Sequence, residues 1–414
     1  MTTSLHSKRQ ILVLTPIYPA DDIPKGWTPV VHYFTREWVK MGHEVHVINY
    51  VANFPKPVYW LSRFFEKRIS SKVGYTIRTT TLQDKQYELE GVHVYRIMLK
   101  KARPHARYSH GQIKLAIKKT LEYCESKRIA PSAIISHWVD PSLEIMYELK
   151  QHFQVPTCYV AHGANHFTKY GSDAEKFWNA VDMVGYRSDY IKKKFESESR
   201  FIKPSFYCYS GIPSSYNDNT IARDWNSINR VAYVGTLIGR KFPSTLVTAL
   251  HHVFKNDFTL NYAGEGSESN RIIQVARRLG VVDNVKLLGR ISREDVIRLM
   301  DDSDLFVMIS KNETFGLVYL EAMARGCIAI ASRKEGFDGI IRHGYNGFLC
   351  EAGNEEELTE ILNVIKAMSP EERRIISSHA METARALTDE KVARLYLEAI
   401  FNSSSSMFSS SMQG

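Results

Sequence analysis

Short apolar runs alternate with longer amphipathic segments along this chain. The first run, Gln10–Thr15, precedes a segment of helical periodicity over residues 29–41 and an alternating run over 44–49. Apolar runs of about four to eight residues bounded by turn signals are typical of buried strands. Further runs of this kind cover residues 133–136, 157–161, 182–187, 230–235, 258–263, 285–288, 304–310 and 327–332. The alternation predicts an α/β protein with two Rossmann-like domains that face each other across a cleft.

A polar stretch divides the chain. Residues 214–229 are rich in Asn, Asp and Ser, and we predict that they link an N-terminal domain over 1–213 to a C-terminal domain over 230–385. A last helix is predicted over 386–401. Residues 402–414 are mostly Ser, and we expect them to be disordered.

Composition favours a cytoplasmic protein. The 414 residues are enough for two domains, and 44% of them are hydrophobic. No apolar run reaches about 18 residues, the length that crosses a membrane as a helix. The first ten residues are polar, unlike a secretory signal. Five scattered cysteines without Cys-x-x-Cys spacing favour a reducing compartment. We therefore expect a cytoplasmic location, with the inner face of the membrane as a candidate place of action.

The net charge of +9 comes from one half of the chain. Residues 1–200 hold 30 Lys and Arg against 19 Asp and Glu, whereas residues 201–414 hold 24 against 26. Basic and aromatic side chains interleave over 51–107, inside a predicted insertion over about 51–130. Two interpretations stay open: a surface that docks on anionic lipid, or an insertion whose aromatics pack internally while its charges are solvated. No RNA- or DNA-binding signature accompanies the charge, so nucleic acid is not expected as a partner.

Candidate chemistry is concentrated in Asn312–Gly326, which reads N-E-T-F-G-L-V-Y-L-E-A-M-A-R-G. A buried strand is predicted before this stretch. The segment from Leu317 is dense in helix formers, and Gly326 supplies a helix stop. The unit is therefore strand, tight loop and helix, and in open α/β sheets ligands bind at such junctions.

The start of this predicted helix is suited to a phosphorylated ligand. Backbone amides from Thr314 to Leu317 lie at the positive end of the helix dipole and can bind an anion. Gly316 permits a ligand to approach the backbone closely. Glu313 before the helix and Glu321 two turns into it can accept hydrogen bonds from hydroxyl groups. A ligand with central phosphates and a hydroxyl-rich ring at either end would satisfy these groups.

The pattern E-x-F-G-L-x-x-x-E-A-M-A-x-G resembles the Glu-x7-Glu signature of GT-B retaining glycosyltransferases, specifically glycosyltransferase family 4. The resemblance implies that the second acid, Glu321, holds the ribose of a nucleotide-sugar donor. It implies that the sugar-phosphate end of the donor is held by Glu313, Phe315, Gly316 and Leu317.

Two further segments extend the resemblance. V-P-T-C-Y-V-A-H-G is similar to a family strand whose His contacts the donor sugar, here His162. The run that begins at Gly235 resembles the family loop that grips the diphosphate, and Lys241 matches the family Lys. Thr236 replaces the family Arg in this loop, and Arg240 is a neighbouring candidate for the missing positive charge.

Other matches are shorter. The family usually has a Gly-Gly pair beside the donor diphosphate in its opening loop, of which only Gly26 remains. Gly264 lies in a strand-to-turn segment that can approach the ligand. Arg290 and Ile291 follow the strand that faces the nucleotide base in the family. A later family pattern has three replacements, the first of them Glu335, which could alter sugar selectivity.

The resemblance implies a hexosyltransferase-type enzyme that transfers a sugar, with retention, from a UDP- or GDP-sugar to a glycan or lipid-linked saccharide in cell-surface polysaccharide synthesis. Glu313, His162 and Lys241 would form the catalytic centre. Neither a cofactor nor a metal is expected, because cationic and amide groups would stabilise the leaving diphosphate. The last helix would pack back onto the N-terminal domain. The alternatives are a sugar-nucleotide epimerase of the same architecture and an inactive nucleotide-sugar-binding partner subunit.

Overall fold

The computed structural model describes most of the chain as two compact units. The described residues are 7–23, 29–59, 82–103, 106–163, 173–198, 202–218 and 223–410. The first unit comprises the described residues up to Tyr186, those of Lys194–Cys208 and those from Val392 onward. The second unit comprises the described residues of Arg187–Lys193 and Tyr209–Lys391.

A largely parallel sheet forms the centre of the first unit. Its described strands are β1 (Gln10–Thr15), β2 (Glu44–Asn53), β3 (Lys85–Leu89), β4 (Val92–Lys100), β5 (Ala133–His137), β6 (Thr157–Ala161), β7 (Met183–Tyr186) and β8 (Ser205–Tyr207). They lie in the order β3-β4-β2-β1-β5-β6-β7-β8, and only the β3–β4 pair among them is antiparallel. The helices are α1 (Val30–Lys40), α2 (His110–Ser126), α3 (Ser142–Phe153), α4 (Ala174–Asn179) and α5 (Asp189–Glu198), the last shared with the second unit.

The second unit contains a fully parallel sheet. Its described strands are β9 (Arg230–Val234), β10 (Thr259–Ala263), β11 (Val285–Gly289), β12 (Leu305–Val307), β13 (Ile328–Ser332) and β14 (Phe348–Cys350). They lie in the order β11-β10-β9-β12-β13-β14. The helices are α6 (Pro243–Phe254), α7 (Ser269–Arg278), α8 (Arg293–Asp301), α9 (Leu317–Ala324), α10 (Glu355–Ala367) and α11 (Pro370–Ala386). The predicted α/β class with two parallel-sheet units is confirmed.

The strand order of the second sheet reverses between β9 and β12, since β10 and β11 lie on one side of β9 and β12 to β14 on the other. Ligands of open α/β sheets bind at the carboxyl ends of the strands beside such a reversal. The loop between β12 and α9 therefore occupies the position that the fold favours for a ligand.

The buried side chain of Tyr319 anchors helix α9 to the sheet. This side chain is 1% exposed, and its hydroxyl donates to the carbonyl oxygen of Met308, just beyond β12. Its ring meets Phe306 edge-on with centroids 5.5 Å apart. The helix is apolar on nearly every side because it is packed between the sheet and α11. The start of α9 is consequently held in place by the core.

The C-terminal end of the chain differs from the prediction. Helix α12 (Asp389–Ser410) extends past residue 401, where the last helix was predicted to end and disorder to begin. Packing fixes its earlier turns: the indole nitrogen of Trp38 donates to the carbonyl of Ala393 over 2.9 Å, and the Tyr396 ring packs edge-on against Phe34. Once these turns are fixed, each added residue gains a hydrogen bond without a new nucleus, so even a Ser-rich segment can continue the helix.

The polar stretch predicted to be a linker is attached to the second unit where it is described. Tyr216, in a 3-10 turn over Ser214–Asn217, is 2% exposed. The guanidinium of Arg223 donates to the carbonyl oxygens of Met300 and Arg325, both over 2.7 Å. From composition alone, the Arg223 side chain would be expected in solvent, but it is bonded to the backbone of the second unit.

Part of the basic and aromatic segment has a structural role, while its residues 60–81 lie outside the described part of the chain. Arg96 on β4 is 1% exposed, and its two terminal nitrogens each donate to the carboxylate of Asp22 over 2.7 Å. The hydroxyl of Tyr87 on β3 donates to the carbonyl of Pro19 over 2.7 Å. The β3–β4 hairpin thus holds the loop that follows β1. None of the helices among the described residues is long and apolar enough to cross a membrane.

Candidate functional site

Glycines keep side chains away from the carboxyl ends of β9 and β10. Gly235 follows β9, and its amide donates to the carbonyl of Ala263 over 2.9 Å. Gly264 follows β10 and donates to the carbonyl of Gly289 over 2.8 Å. A Cβ atom at position 264 would lie 2.0 Å from the carbonyl oxygen of Gly235, so only glycine permits this approach. The loops after β9 and β10 therefore pack backbone to backbone at the carboxyl ends of these strands.

Lys241 and Glu313 form an ion pair at this edge of the sheet. The Lys241 Nζ atom is 3.4 Å from Glu313 Oε2, and the two side chains are 12% and 18% exposed. The same nitrogen lies 3.5 Å from the sulfur of Met308, and the Ser310 hydroxyl donates to Glu313 Oε2 over 3.4 Å. The structure therefore brings together a cation and a carboxylate that are separated by 72 positions in the sequence.

The N-terminus of α9 opens beside this pair. Gly316 has a φ of +88°, and a Cβ atom there would lie 2.5 Å from the Tyr319 ring. Within the described residues, no side chain caps this end of the helix. Phe315 is 4% exposed and lies beneath the guanidinium of Arg187, 5.4 Å from the ring centroid. Leu317, the first helical residue, is half-buried. The first amides of α9 thus have no acceptor within the helix and can bind an anion.

A buried carboxylate on the next loop binds the backbone ahead of Glu313. The Glu313 amide donates to Glu335 Oε2 over 2.7 Å, and Glu335 is 9% exposed. Burial raises the pKa of Glu335, while the backbone amides of Asn312 and Glu313 act in the opposite direction. The guanidinium of Arg240 donates to the carbonyl oxygens of Lys311 over 2.9 Å and Asn312 over 3.4 Å. Arg240 and Glu335 therefore hold this loop from two sides.

Glu321 belongs to a network of three side chains from three elements. A terminal nitrogen of Arg293, the first residue of α8, donates to Glu321 Oε1 over 3.1 Å. The Arg293 Nε atom donates to the Tyr216 hydroxyl over 2.9 Å. Burial raises the pKa of Glu321, an effect that Arg293 opposes, and burial also raises the pKa of Tyr216 to about 12. The Glu321 carboxylate is thus held in one orientation by a cation.

Arg290 and Ile291 lie between β11 and α8. Arg290 is exposed, whereas Ile291 is half-buried and packs against the core of the second unit. The hydroxyl of Ser292 then caps α8 by accepting from the amide of Asp295 over 3.1 Å. This cap fixes the first residue of α8 and hence the position from which the Arg293 side chain extends.

His162 belongs to the first unit, where it follows β6. A hydrogen bond of 3.0 Å joins its Nε2 atom to Nδ1 of the fully buried His137. The ring of Trp138 stacks on His162 with centroids 3.8 Å apart and an interplanar angle of 12°. His162 is therefore held by two rings, and its role as a sugar contact stays a prediction. Gly26 lies outside the described residues.

Within the second unit, the structure brings together the predicted residues at the N-terminus of α9 and Lys241 from the loop after β9. It also adds two residues without a predicted role at the site, Ser310 and Arg293, and it places Glu335, predicted only as a replacement that could alter sugar selectivity, against the Glu313 amide. Glu335 was visible in the sequence only as a departure from a family pattern. Arg293 carries no sequence signal because its partner lies 28 positions away on another helix.

Comparison with known proteins gives matches to glycosyltransferases. Residues 225–382 match the family described as "Glycosyl transferases group 1". Over 142 residues the chain is 34% identical to N-acetyl-alpha-D-glucosaminyl L-malate synthase of Bacillus anthracis, a match that covers 34% of this chain and 36% of that protein. The chain thus spans only about a third of this relative's length.

Solved structures resemble nearly the whole chain. A glycosyltransferase from Rickettsia africae aligns with a TM-score of 0.68 and 17% identity, covering 94% of this chain and 97% of that one. HepE of Anabaena, solved in complex with UDP and glucose, aligns with a TM-score of 0.63 and 17% identity, covering 94% and 98%. At this identity the likeness concerns the fold, and the predicted GT-B fold class is confirmed. The family 4 assignment and the individual site residues stay predictions, and what the comparisons establish is that residues 225–382 match the glycosyl transferases group 1 family.

Proposed function

We propose that this protein is a retaining, metal-independent glycosyltransferase of the hexosyltransferase type. It would move a sugar from a UDP- or GDP-sugar to a glycan or lipid-linked saccharide in cell-surface polysaccharide synthesis. The observation that carries the proposal is the Lys241–Glu313 pair, 3.4 Å apart, beside the uncapped N-terminus of α9. This arrangement offers positive charge for a diphosphate and an acceptor for sugar hydroxyls within one small region.

The donor is expected to lie with its diphosphate against the first amides of α9 and the Lys241 ammonium. Gly235 and Gly264 lie at the carboxyl ends of β9 and β10, the edge of the sheet at which the donor is expected to bind. Glu313 then accepts hydrogen bonds from the donor sugar, and Glu321 accepts from the ribose. The complex of HepE with UDP and glucose supports the choice of a nucleotide sugar as the ligand class.

In the proposed reaction, the bond between the anomeric carbon and the phosphate oxygen breaks, and an acceptor oxygen forms its bond on the same face of the sugar. The acceptor proton passes to the leaving phosphate oxygen, so the enzyme needs no separate base. Lys241 and the α9 amides stabilise the negative charge that develops on the diphosphate. This cationic environment supports the proposal that no metal is required.

For the acceptor, we propose a glycan or lipid-linked saccharide that binds the basic first unit at the inner face of the cytoplasmic membrane. The excess of Lys and Arg in residues 1–200 supports an attraction to anionic surfaces. All five cysteines are buried, and their scattered spacing supports a reducing compartment.

A donor screen followed by product analysis tests the proposal. Thermal stability is measured with UDP- and GDP-sugars, since a ligand at 100 times its Kd adds about 2.7 kcal/mol of stability. The stabilising donor is then incubated with and without acceptor saccharides, with a chelator present. A glycoside with the donor's anomeric configuration is expected. Epimerised donor in the absence of acceptor would favour an epimerase, and binding without turnover would favour an inactive partner subunit.

A further inference from the structure

Glu335 is a buried carboxylate at the candidate donor site that the proposed reaction does not use. It lies on the loop after β13, while Glu313 lies on the loop after the neighbouring strand β12. We propose that Glu335 is a specificity-determining residue through which the sugar-binding end of the site accepts an uncharged sugar and rejects a hexuronate. This inference rests on the proposed function.

The two loops are packed backbone to backbone. The Glu313 amide donates to Glu335 Oε2 over 2.7 Å. A Cβ atom at Gly336 would lie 2.4 Å from the amide nitrogen of Phe315, so the backbone of this loop runs directly against the start of α9. Because the parallel strands β12 and β13 release both loops at the same edge of the sheet, Glu313 and Glu335 lie on adjacent loops there. Their charges repel each other, as the effect of Glu313 on Glu335 indicates.

The compensation of these two charges is unequal. Glu313 has the Lys241 ammonium at 3.4 Å, whereas Glu335 is bonded to uncharged backbone amides. The charge of Arg240 acts on Glu335, but its guanidinium is bonded to the carbonyl oxygens of Lys311 and Asn312. In the proposed complex the diphosphate takes up the Lys241 ammonium. The sugar end is then left with two carboxylates, which can accept hydrogen bonds from hydroxyl groups but repel a sugar that carries a carboxylate.

A purely structural role for Glu335 can be separated from this electrostatic role. Gln offers a side-chain carbonyl at the same distance along the chain, so Glu335→Gln retains an acceptor for the Glu313 amide. It removes the negative charge. The selectivity between two donors that differ only in charge therefore reports on the electrostatic role, and a general loosening of the loop would weaken both donors together.

The test compares UDP-glucose with UDP-glucuronate, and the matching GDP pair of mannose and mannuronate, by calorimetric titration of the full-length protein. The wild-type protein is expected to bind the uncharged donor at least about tenfold more tightly than the uronate. Glu335→Gln should shrink this ratio by about fivefold or more. Glu356→Gln, which removes the same charge from an exposed position of α10, should leave the ratio unchanged.

Equal binding of hexose and hexuronate by the wild-type protein would overturn the inference without any variant. An unchanged ratio in Glu335→Gln would overturn it as well. Either result leaves the proposed function intact, because a nucleotide sugar has bound. Failure of every nucleotide sugar and of the free nucleoside diphosphates to bind would instead refute the proposed function, and the inference with it.

Discussion

The ammonium nitrogen of Lys241 lies 3.4 Å from a carboxylate oxygen of Glu313, and the two residues follow strands β9 and β12, which are neighbours in the sheet. Each side chain is mostly buried, so each charge depends on the other when no ligand is bound. An arriving diphosphate offers the lysine a second negative partner. The pair therefore links occupation of the phosphate position to the freedom of the carboxylate beside it.

Lys241→Gln should lower kcat/KM by about 10²- to 10³-fold, because the leaving diphosphate loses a preorganised positive charge. The affinity for a nucleoside diphosphate should fall more than the affinity for the corresponding monophosphate. Steady-state kinetics and calorimetry measure the two effects. Lys286→Gln, at an exposed position of β11, is the matched control and should behave like the wild type. Unaltered turnover in Lys241→Gln would refute its role.

Glu313→Gln should act on the sugar end alone. We expect kcat to fall by about 10²-fold, since the donor sugar loses the acceptor that orients it. The Kd of the free nucleoside diphosphate should stay the same or decrease, because Lys241 loses its internal partner. The comparison of transfer rates with diphosphate titrations separates these effects. A parallel loss of diphosphate affinity would contradict the assignment.

Arg293→Gln should weaken nucleotide binding at least about tenfold at pH 7, because a mostly buried carboxylate loses its cation. Arg293 opposes the burial that raises the pKa of Glu321, so its removal raises this pKa further. The pH below which nucleotide affinity declines should therefore move upward. Titrations between pH 5 and 8 measure this shift. Arg298→Gln removes an exposed arginine of the same helix that pairs with Asp295 at 3.0 Å, and it should leave the profile in place.

The stability of Glu335→Gln relative to the wild type should increase as the pH rises. Burial raises the pKa of Glu335 above its ordinary value of 4.5, so the folded protein binds this proton more tightly than the unfolded chain does. The contribution of wild-type Glu335 to stability is then fully present below pH 4.5 and is lost as the pH rises through the folded pKa. Gln does not ionise, so the Tm of the variant relative to the wild type should improve from pH 4 to pH 7. A difference in Tm that stays constant over this range would contradict the expected sign.

Gly316→Ala should destabilise the second unit by about 1–3 kcal/mol, since a methyl group there would lie 2.5 Å from the Tyr319 ring in addition to the strained backbone. Gly280→Ala is the matched control: its φ is +72°, but nothing lies within 4 Å of the added carbon. Urea denaturation of both variants isolates the steric part. Equal losses of unfolding free energy would indicate that the clash with Tyr319 is relieved at no cost.

The extent of several elements could be predicted from residue pattern alone. Strands Gln10–Thr15 and Thr157–Ala161 have the predicted limits, because a strand covered on both faces must be apolar throughout and is bounded where polar or turn-forming residues appear. The end of α12 could not be predicted in this way. Its continuation to Ser410 depends on packing of the earlier turns, and local helix propensity contains no information about that packing.

The candidate site shows the same division. The mouth of α9 was predictable because Glu313, Gly316 and Glu321 lie within nine consecutive positions, so one local pattern describes them. Arg293 and Glu335 reach the site from other elements, and their roles follow from hydrogen bonds to Glu321 and to the Glu313 amide. A single sequence carries no distance information between such segments, and composition marks both residues as ordinary surface charges.

The first unit is assembled from three separate stretches, the last of which begins at Val392. Dividing the chain at a single position therefore gives two fragments, neither of which contains a complete unit. A fragment that stops before α12 would strip the indole of Trp38 of its acceptor, the carbonyl of Ala393, and would expose the face of Phe34 that Tyr396 covers. Isolated halves for spectroscopy should be made by grafting residues 392–410 behind residue 208 through a flexible tether, whereas simple truncation should yield insoluble material.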